Sequence, residues 1–139
     1  MSVSPGVAAI LRSARRIAVV GLSDDPFRPS HSVAGYLQSA GYEIVGVHPG
    51  GGTVLGGRRY PDLSSAAAAT GAIDIVDVFR RSETIPELLP ELLELRPKLV
   101  WLQLGVKHDP AARTLKEAGI SVVQDLCLAV EHRALVTGS

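Results

Sequence analysis

The stretch that most restricts the fold runs from Ile17 to Ser30, with the sequence IAVVGLSDDPFRPS. Its first four residues are all apolar, which is typical of a strand that is buried on both faces of a parallel sheet. Gly21 ends this strand, a polar loop follows, and Ser30 is predicted to cap the next helix. The turn after the first strand of an α/β protein commonly binds anions, because backbone N–H groups and a helix N-terminus point into it. The stretch therefore predicts an α/β fold with a ligand-binding loop.

Strands and helices alternate along the rest of the chain. Besides strand 17–20, buried strands are predicted over residues 43–47, 73–79, 98–104 and 120–123. Helices are predicted over residues 4–14, 30–40, 63–69, 84–95, 109–119 and 126–135, and residues 53–60 form a small excursion. Short connections between parallel strands place helices on both faces of the sheet. The prediction is a Rossmann-like, doubly wound α/β fold in three layers, with five main parallel strands in the order 3-2-1-4-5.

This strand order also predicts where a ligand binds. In doubly wound sheets the binding crevice lies beyond the carboxyl ends of the strands, at the point where the strand order reverses. Here that switch point is expected between strands 1 and 4. The segments that converge on it are Gly21 to Ser30, His48-Pro49, Phe79-Arg80 and Gly105.

Composition bounds the domain organisation and excludes several classes of function. The 139 residues, of which 46% are hydrophobic and 20% charged, suit one packed domain over residues 1–139, with its core at 17–132 and helix 4–14 packed on it. The formal net charge of +0 argues against a nucleic-acid partner. No apolar run approaches the roughly 20 residues of a membrane span, and no signal peptide is evident. The single cysteine, Cys127, fits a reducing cytoplasm.

The loop after the first strand does not fit a simple NAD site. That motif needs G-x-G-x-x-G after the strand and an acidic residue near the end of the second strand. Gly21 is present, but Ser23 and Pro26 replace the other two glycines, and the second strand ends in His48-Pro49. A Walker A loop is also missing, so ATP hydrolysis is unsupported.

What the loop does offer suits a different phosphate geometry. Ser23 and Ser30 carry hydroxyl groups, and Arg28 carries a guanidinium that can bind a phosphate through two hydrogen bonds. Alternatively, Asp24 and Arg28 simply pair with each other on a solvated loop. Arg80 or Arg81 can also reach the crevice, and Arg80 is favoured because it follows the third strand more closely.

The remaining reactive residues give weaker signals. The spacing of the four histidines fits no pattern of metal ligands, so no metal site is predicted. His48 either contacts a ligand or is an ordinary turn residue. The apolar neighbours of Cys127 favour a buried small side chain over a nucleophile. No pair of carboxylates has acid–base spacing, and no catalytic residue is predicted.

Several longer runs together resemble a known family. They are VVGLS at 19–23, VHP at 47–49, DIVDVFRR at 74–81, WLQLG at 101–105 and DLC at 125–127. Across residues 17–132 the chain resembles the small, stand-alone CoA-binding proteins with a Rossmann-like fold. It is also similar to the CoA-binding domain of the succinyl-CoA synthetase α subunit and of related acyl-CoA synthetases.

The resemblance implies that coenzyme A lies over the carboxyl edge of the sheet, with its pyrophosphate in the loop after the first strand. It also implies that the turns after the second and third strands flank the adenosine end. The implied binding residues are Gly21, Leu22, Ser23, Asp24, Arg28, Ser30, His48, Pro49, Val78, Phe79, Arg80, Leu104 and Gly105. Two departures affect this assignment. His48 stands where the family usually has asparagine, and Gly50-Gly51-Gly52 replaces a turn in which the synthetase domain carries a lysine.

The expected function is the binding of coenzyme A or an acyl-CoA by a non-catalytic carrier, sensor or partner module in the cytoplasm. A protein partner or a homodimer is compatible with this expectation. The alternative is an enzyme, either an NAD(P)-dependent oxidoreductase or an acyl- or thiol-transfer catalyst that uses Cys127.

Overall fold

A computed structural model describes residues 3–137 of the chain. Residues 1–2 and 138–139, the ends of the predicted domain, lie outside the described part. The elements in chain order are α1 (Pro5–Ser13), β1 (Arg16–Val20), α2 (Pro29–Ser39), β2 (Glu43–Val47), β3 (Thr53–Val54), β4 (Gly57–Tyr60), α3 (Leu63–Thr70), β5 (Ile75–Val78), a 3₁₀ helix (Ser82–Leu88), α4 (Leu89–Leu95), β6 (Leu99–Leu102), α5 (Asp109–Glu117), β7 (Ser121–Val123) and α6 (Leu128–Thr137).

The strands form one sheet in the order β3-β4-β2-β1-β5-β6-β7. Every neighbouring pair is parallel except β3 and β4, which form an antiparallel hairpin at one edge. Strands β1, β5 and β6 are buried over almost their whole length, as their continuous apolar runs predict. The α/β class with a parallel central sheet is therefore confirmed.

Two hydrophobic cores lie on opposite faces of the sheet and make the three layers. Helices α1, α2 and α6 bury Leu11, Leu37 and Leu128 on one face. Helices α3, α4 and α5 bury residues such as Leu92 and Leu115 on the other face. The chain passes from β1 to one face and from β5 to the other, and this change of face opens a crevice between their carboxyl ends.

The predicted strand order 3-2-1-4-5 is wrong, and so is the count of five strands. The third predicted strand, β5, lies beside β1 on the side away from β2. The reason is the excursion at residues 53–60, which forms the hairpin of β3 and β4. Because β4 pairs with β2 through Gly46 and Arg59, the free edge of β2 is already occupied. The switch point therefore lies between β1 and β5, and not between the first and fourth predicted strands.

Two helices differ locally from their predictions. The predicted helix 84–95 is divided into the 3₁₀ helix and α4, because Pro86 and Pro90 each remove a backbone donor. Ser30 does not cap α2, since the capping position is Arg28 and Pro29 is the first helical residue. Within residues 3–137, no helix is both long and apolar enough to cross a membrane.

Candidate functional site

A cleft of about 730 Å³ opens at the carboxyl edge of the sheet, over the ends of β1, β5 and β6. Its walls come from the β1–α2 loop and the first turns of α2 on one side, and from the segments after β5, β6 and β7 on the other. The lining residues are Gly21, Ser23, Arg28, Pro29, Ser30, Val33, His48, Phe79, Arg80, Arg81, Gln103, Leu104, Gly105, Val106 and Cys127. The cleft is thus centred on the switch point of the sheet.

Nine of the thirteen binding residues expected from the sequence line this cleft. They are Gly21, Ser23, Arg28, Ser30, His48, Phe79, Arg80, Leu104 and Gly105. A second cleft of about 420 Å³ shares Gly21, His48 and Arg80 with the first one, and Pro49 lies in its wall. The two clefts therefore meet at these three shared residues, which gives an elongated surface along the sheet edge.

The structure places the other three expected residues outside both clefts. Leu22 is fully buried in the core beneath the loop, because its apolar side chain packs inward. Val78 is also buried, since it lies within β5 and not in the turn after it. Asp24 is exposed on the loop, where its carboxylate lies 3.9 Å from Arg59. The expected contact of these side chains with a ligand is not supported by their positions.

The β1–α2 loop is held in shape by its own hydrogen bonds. The backbone N–H of Ser23 donates to the Ser30 hydroxyl oxygen at 2.9 Å, and Ser30 is buried. Further along, the N–H of Asp25 donates to the Ser23 hydroxyl oxygen and that of Phe27 to the Asp25 carboxylate. The capping position of helix α2 is Arg28, and its side chain makes no capping hydrogen bond. The N-terminus of α2, with the positive end of the helix dipole, is left open beside the cleft.

Gly21 is the residue that allows β1 and β5 to end so close together. Its φ of +89° lies in the left-handed region, and a Cβ atom there would lie 2.5 Å from the carbonyl oxygen of Phe79. Its own N–H donates to the Val47 carbonyl at 2.8 Å. A larger residue would separate the strand ends, so this glycine sets the floor of the cleft.

Three arginine side chains give the cleft its positive charge. Arg28 and Arg81 are 72% and 85% exposed, and Arg80 is 37% exposed. Their carboxylate neighbours are Asp25 at 4.0 Å, Glu83 at 3.5 Å and Glu87 at 4.0 Å, respectively. Such distant, solvated pairs are weak, so each guanidinium remains available to an anion. The alternative pairing of Asp24 with Arg28 is not formed, and Arg81 lines the cleft together with Arg80.

His48 presents a hydrogen-bond donor to the cleft. Its Nδ1 accepts a hydrogen bond from the N–H of Gly50 at 2.9 Å, so in the neutral ring the proton is on Nε2. Behind this turn lies Arg59 of β4, which is buried. Arg59 donates to the carbonyl oxygens of Leu22 and Gly51 and so ties the β1–α2 loop to the glycine turn. Sequence reasoning missed Arg59, because nothing in residues 57–60 indicated a strand.

Beneath the cleft, Asp77 and Gln103 form a buried polar pair. The Gln103 amide Nε2 donates to Asp77 Oδ1 at 2.7 Å. Asp77 is fully buried, and its Oδ2 has no hydrogen-bond partner among the described residues. Burial raises the pKa of Asp77 to about 8, although the Gln103 hydrogen bond acts in the opposite direction. The carboxyl group is therefore largely protonated at neutral pH, and since Oδ1 accepts the bond, the proton belongs on Oδ2.

Cys127 was expected to be buried in the core, but it is only partly buried and lines the cleft. Two contacts place it there. Asp125 adopts a left-handed turn and accepts a hydrogen bond from the N–H of Gly105, and Trp101 Nε1 donates to the carbonyl of Leu126. The topology of the sheet could have predicted this position. Cys127 follows the carboxyl end of β7, just as the other segments of the cleft follow the carboxyl ends of their own strands.

The fold and the cleft define a class of protein. It is a parallel α/β domain whose switch-point cleft carries arginines, an open helix N-terminus and a histidine donor, and this combination suits an anionic ligand. The family model of the CoA binding domain matches residues 15–133, and the chain belongs to this family. The family expected from the sequence runs is therefore confirmed.

Similar proteins include one sequence relative and solved structures. The chain is 45% identical over 126 residues to the uncharacterized protein YneT of Bacillus subtilis strain 168, with 91% of each chain covered. It is 44% identical to cell-free ID.343 from Thermus thermophilus, with a TM-score of 0.88 and 93% and 96% of the two chains covered. A dinucleotide-forming acetyl-coenzyme A synthetase from Ca. Korarchaeum cryptofilum shares the fold, at 18% identity and a TM-score of 0.67. That match covers 78% of this chain and 25% of the synthetase.

Proposed function

We propose that the protein binds coenzyme A, or an acyl-CoA, in the cleft at the carboxyl edge of the sheet. The single observation that supports this best is the coincidence of the family match with an arginine-bearing cleft at the switch point. Coenzyme A carries a pyrophosphate and a 3′-phosphate on an adenosine, and a long pantetheine arm. Such a ligand needs several donors spread along an elongated surface, which the two adjoining clefts offer.

The pyrophosphate is assigned to the β1–α2 loop. Arg28, the open N-terminus of α2 and the Ser23 hydroxyl lie together on that side of the cleft. Guanidinium groups bind phosphate oxygens through charge-assisted hydrogen bonds, and the helix dipole favours the same negative charge. Arg80 lies at the junction of the two clefts, where it can bind phosphate from the other side.

The two departures from the family pattern have physical replacements. Because Nδ1 of His48 is occupied by Gly50, its Nε2–H is a donor, as the amide of the usual asparagine would be. The turn after β2 contains no lysine, but the guanidinium of Arg59 lies behind this glycine turn and donates a hydrogen bond to the carbonyl oxygen of Gly51. Arg59 is buried, so it adds positive potential and shape to the turn rather than a direct contact.

The proposal is tested by the unfolding of the purified protein with different ligands. A ligand at a hundredfold excess over its Kd stabilises the folded state by about 2.7 kcal/mol. We expect CoA, and acetyl-CoA if acyl groups are accepted, to raise Tm by several degrees, with NAD and NADP as matched dinucleotide controls that do not. Stabilisation by NAD with no response to CoA would overturn the proposal and favour an oxidoreductase.

A second candidate function rests on the position of Cys127 in the same cleft. A thiolate at this position can attack the disulfide of CoA, forming a Cys127–CoA mixed disulfide and releasing the other half as a CoA thiolate. Mass spectrometry of the native protein incubated with CoA disulfide would show one added CoA, and the adduct would be absent in Cys127→Ser. An unmodified native protein would leave the non-catalytic binding module as the only proposal.

A further inference from the structure

The Asp77–Gln103 pair is the most deeply buried polar pair at the cleft, and neither residue takes part in the proposed binding of phosphates. Both residues are more than nine-tenths buried, and the hydrogen bond between them is 2.7 Å long. Gln103 lines the cleft, whereas Asp77 lies behind it in β5. A buried polar pair of this kind is costly unless it is satisfied, so its position at a ligand cleft needs an explanation.

The hydrogen bond fixes which end of the Gln103 amide faces the cleft. Nε2 donates to Asp77 Oδ1, so Oε1 points away from that bond. Among residues 3–137, the bond to Asp77 is the only side-chain hydrogen bond of Gln103, so no donor bonds Oε1. Asp77 Oδ2 is the only fully enclosed polar side-chain atom without a partner in this range, so Oε1 is not fully enclosed. Oε1 is therefore an open acceptor at the floor of the cleft.

The surroundings of this acceptor indicate what it can bind. Val33, Val106 and Cys127 line the same cleft, and they are apolar or weakly polar. The arginines lie on the exposed loops, while Gln103 is buried. A buried carbonyl oxygen repels phosphate oxygens and suits an N–H donor on an otherwise uncharged chain.

We infer that Gln103 is a specificity-determining contact for the uncharged arm of the ligand and that Asp77 is its positioning residue. Gln103 Oε1 accepts a hydrogen bond from an amide N–H of the pantetheine arm, while Asp77 holds the amide group in the orientation that presents Oε1. This inference rests on the proposed function, because it takes coenzyme A as the ligand. It predicts that the cleft recognises the arm as well as the nucleotide.

The test compares two ligands on the same protein sample. One is CoA, and the other is adenosine 3′-phosphate 5′-diphosphate, which has the phosphates of CoA but no pantetheine arm. Calorimetry gives both Kd values, and the measured quantity is the Kd of the shorter ligand divided by the Kd of CoA. A variant that is partly misfolded loses binding sites for both ligands equally, so the ratio reports the contact with the arm.

We expect Gln103→Met to weaken CoA binding by about tenfold and to leave the binding of the shorter ligand unchanged, because one buried hydrogen bond is lost. Gln38→Met, on the exposed side of α2, is the matched control and should leave both Kd values unchanged. Asp77→Asn keeps an acceptor for Gln103 Nε2 and should preserve the ratio. Asp77→Leu removes the acceptor and should lower the ratio as Gln103→Met does.

Each outcome decides a different point. Binding of CoA with the same ratio in Gln103→Met as in the wild type overturns this inference and leaves the proposed function intact. Equal affinity of the wild type for both ligands also overturns it, since the arm then contributes nothing. Binding of neither ligand by the wild type overturns the proposed function and this inference together. If Asp77→Leu does not fold, the result for Gln103→Met still decides.

Discussion

The amino and carboxyl ends of the parallel strands form two opposite edges of the sheet, and a buried or half-buried aspartate at each edge is in a different chemical environment. Asp74 lies at the amino end of β5, and Asp77 lies three residues later, near its carboxyl end. Burial raises the pKa of Asp74, but the N–H groups of Arg16 and Arg15, with Lys98 nearby, outweigh burial and lower it. Burial of Asp77 is opposed only by Gln103, and its pKa is raised to about 8.

The amino edge is satisfied by contacts within the chain. Arg16 forms a short ion pair with Glu43 at 2.6 Å and also donates to the carbonyl of Ala72. Among residues 3–137, the arginines at the carboxyl edge have only distant carboxylates, α2 lacks a side-chain cap, and Gln103 has an open acceptor. Groups whose hydrogen-bonding capacity is unused can bind a ligand, and this is the physical reason why we propose the carboxyl edge as the binding site.

The largest expected effect concerns the pH dependence that Asp77 imposes on stability. Its folded pKa of about 8 lies above the unfolded value near 4, so its contribution is fully present below pH 4 and is lost as the pH rises through 8. Asp77→Asn does not titrate, so the variant should gain on the order of 4 kcal/mol relative to wild type between pH 4 and pH 7. Urea unfolding at several pH values measures this difference. A difference that is constant with pH would show that Asp77 is ionised in the folded protein.

The next effect compares two glycines with a left-handed backbone at opposite edges. Gly21→Ala should cost about 3 kcal/mol of unfolding free energy, because the strained φ is combined with a contact against the Phe79 carbonyl. Gly41, before β2, has a φ of +105° and nothing within 4 Å of an added Cβ, so Gly41→Ala should cost only about 1 kcal/mol. Chemical denaturation of both variants gives the two values, and equal losses would mean that β1 and β5 can separate freely at their ends.

Asp74→Ala tests the amino edge and should show the opposite sign of pH dependence. The variant leaves the N–H groups of Arg15 and Arg16 without their acceptor and should lose about 2 kcal/mol at pH 7. The lowered pKa of Asp74 means that its contribution is present above the unfolded value near 4 and is lost as the pH falls through the folded value. Unfolding experiments between pH 3 and 7 measure this trend. A loss that grows in acid would contradict the assignment.

The smallest expected effect is on affinity and leaves the fold unchanged. Arg28→Ala should weaken CoA binding by roughly tenfold, because one charge-assisted contact is lost from an exposed loop. Arg15→Ala removes the same charge from the amino edge and should leave the Kd unchanged at moderate salt. Calorimetric titration of both variants, with Tm as a control for folding, separates the edges. An unchanged Kd in Arg28→Ala would mean that the loop binds phosphate through its backbone alone.

The apolar strands fixed the class of fold in advance, whereas the strand order required information that the sequence pattern lacks. Strands such as β1 are apolar at every position after Arg16, so their burial in a parallel sheet could be predicted. Strand β4 reads Gly-Arg-Arg-Tyr, and nothing in it suggested that it would pair with β2. That one pairing sends β5 to the other side of β1 and moves the switch point.

The same limit applies to the site. Residues that directly follow strand ends, such as His48 and Phe79, were predicted to converge, and the structure brings them to one cleft. The Asp77–Gln103 bond joins residues 26 positions apart, and only the register of β5 against β6 brings them together. Leu22 was assigned to the site because the family resemblance implies a contact with the whole loop after the first strand, but an apolar side chain in such a loop can turn inward.

The most direct test of the account is a crystal structure of the protein in complex with CoA. We predict electron density for the pyrophosphate against Ser23, Arg28 and the first turn of α2, with the pantetheine arm passing Gln103. Density for CoA at another surface, with this cleft empty at a saturating concentration, would contradict the assignment of the carboxyl edge as the binding site.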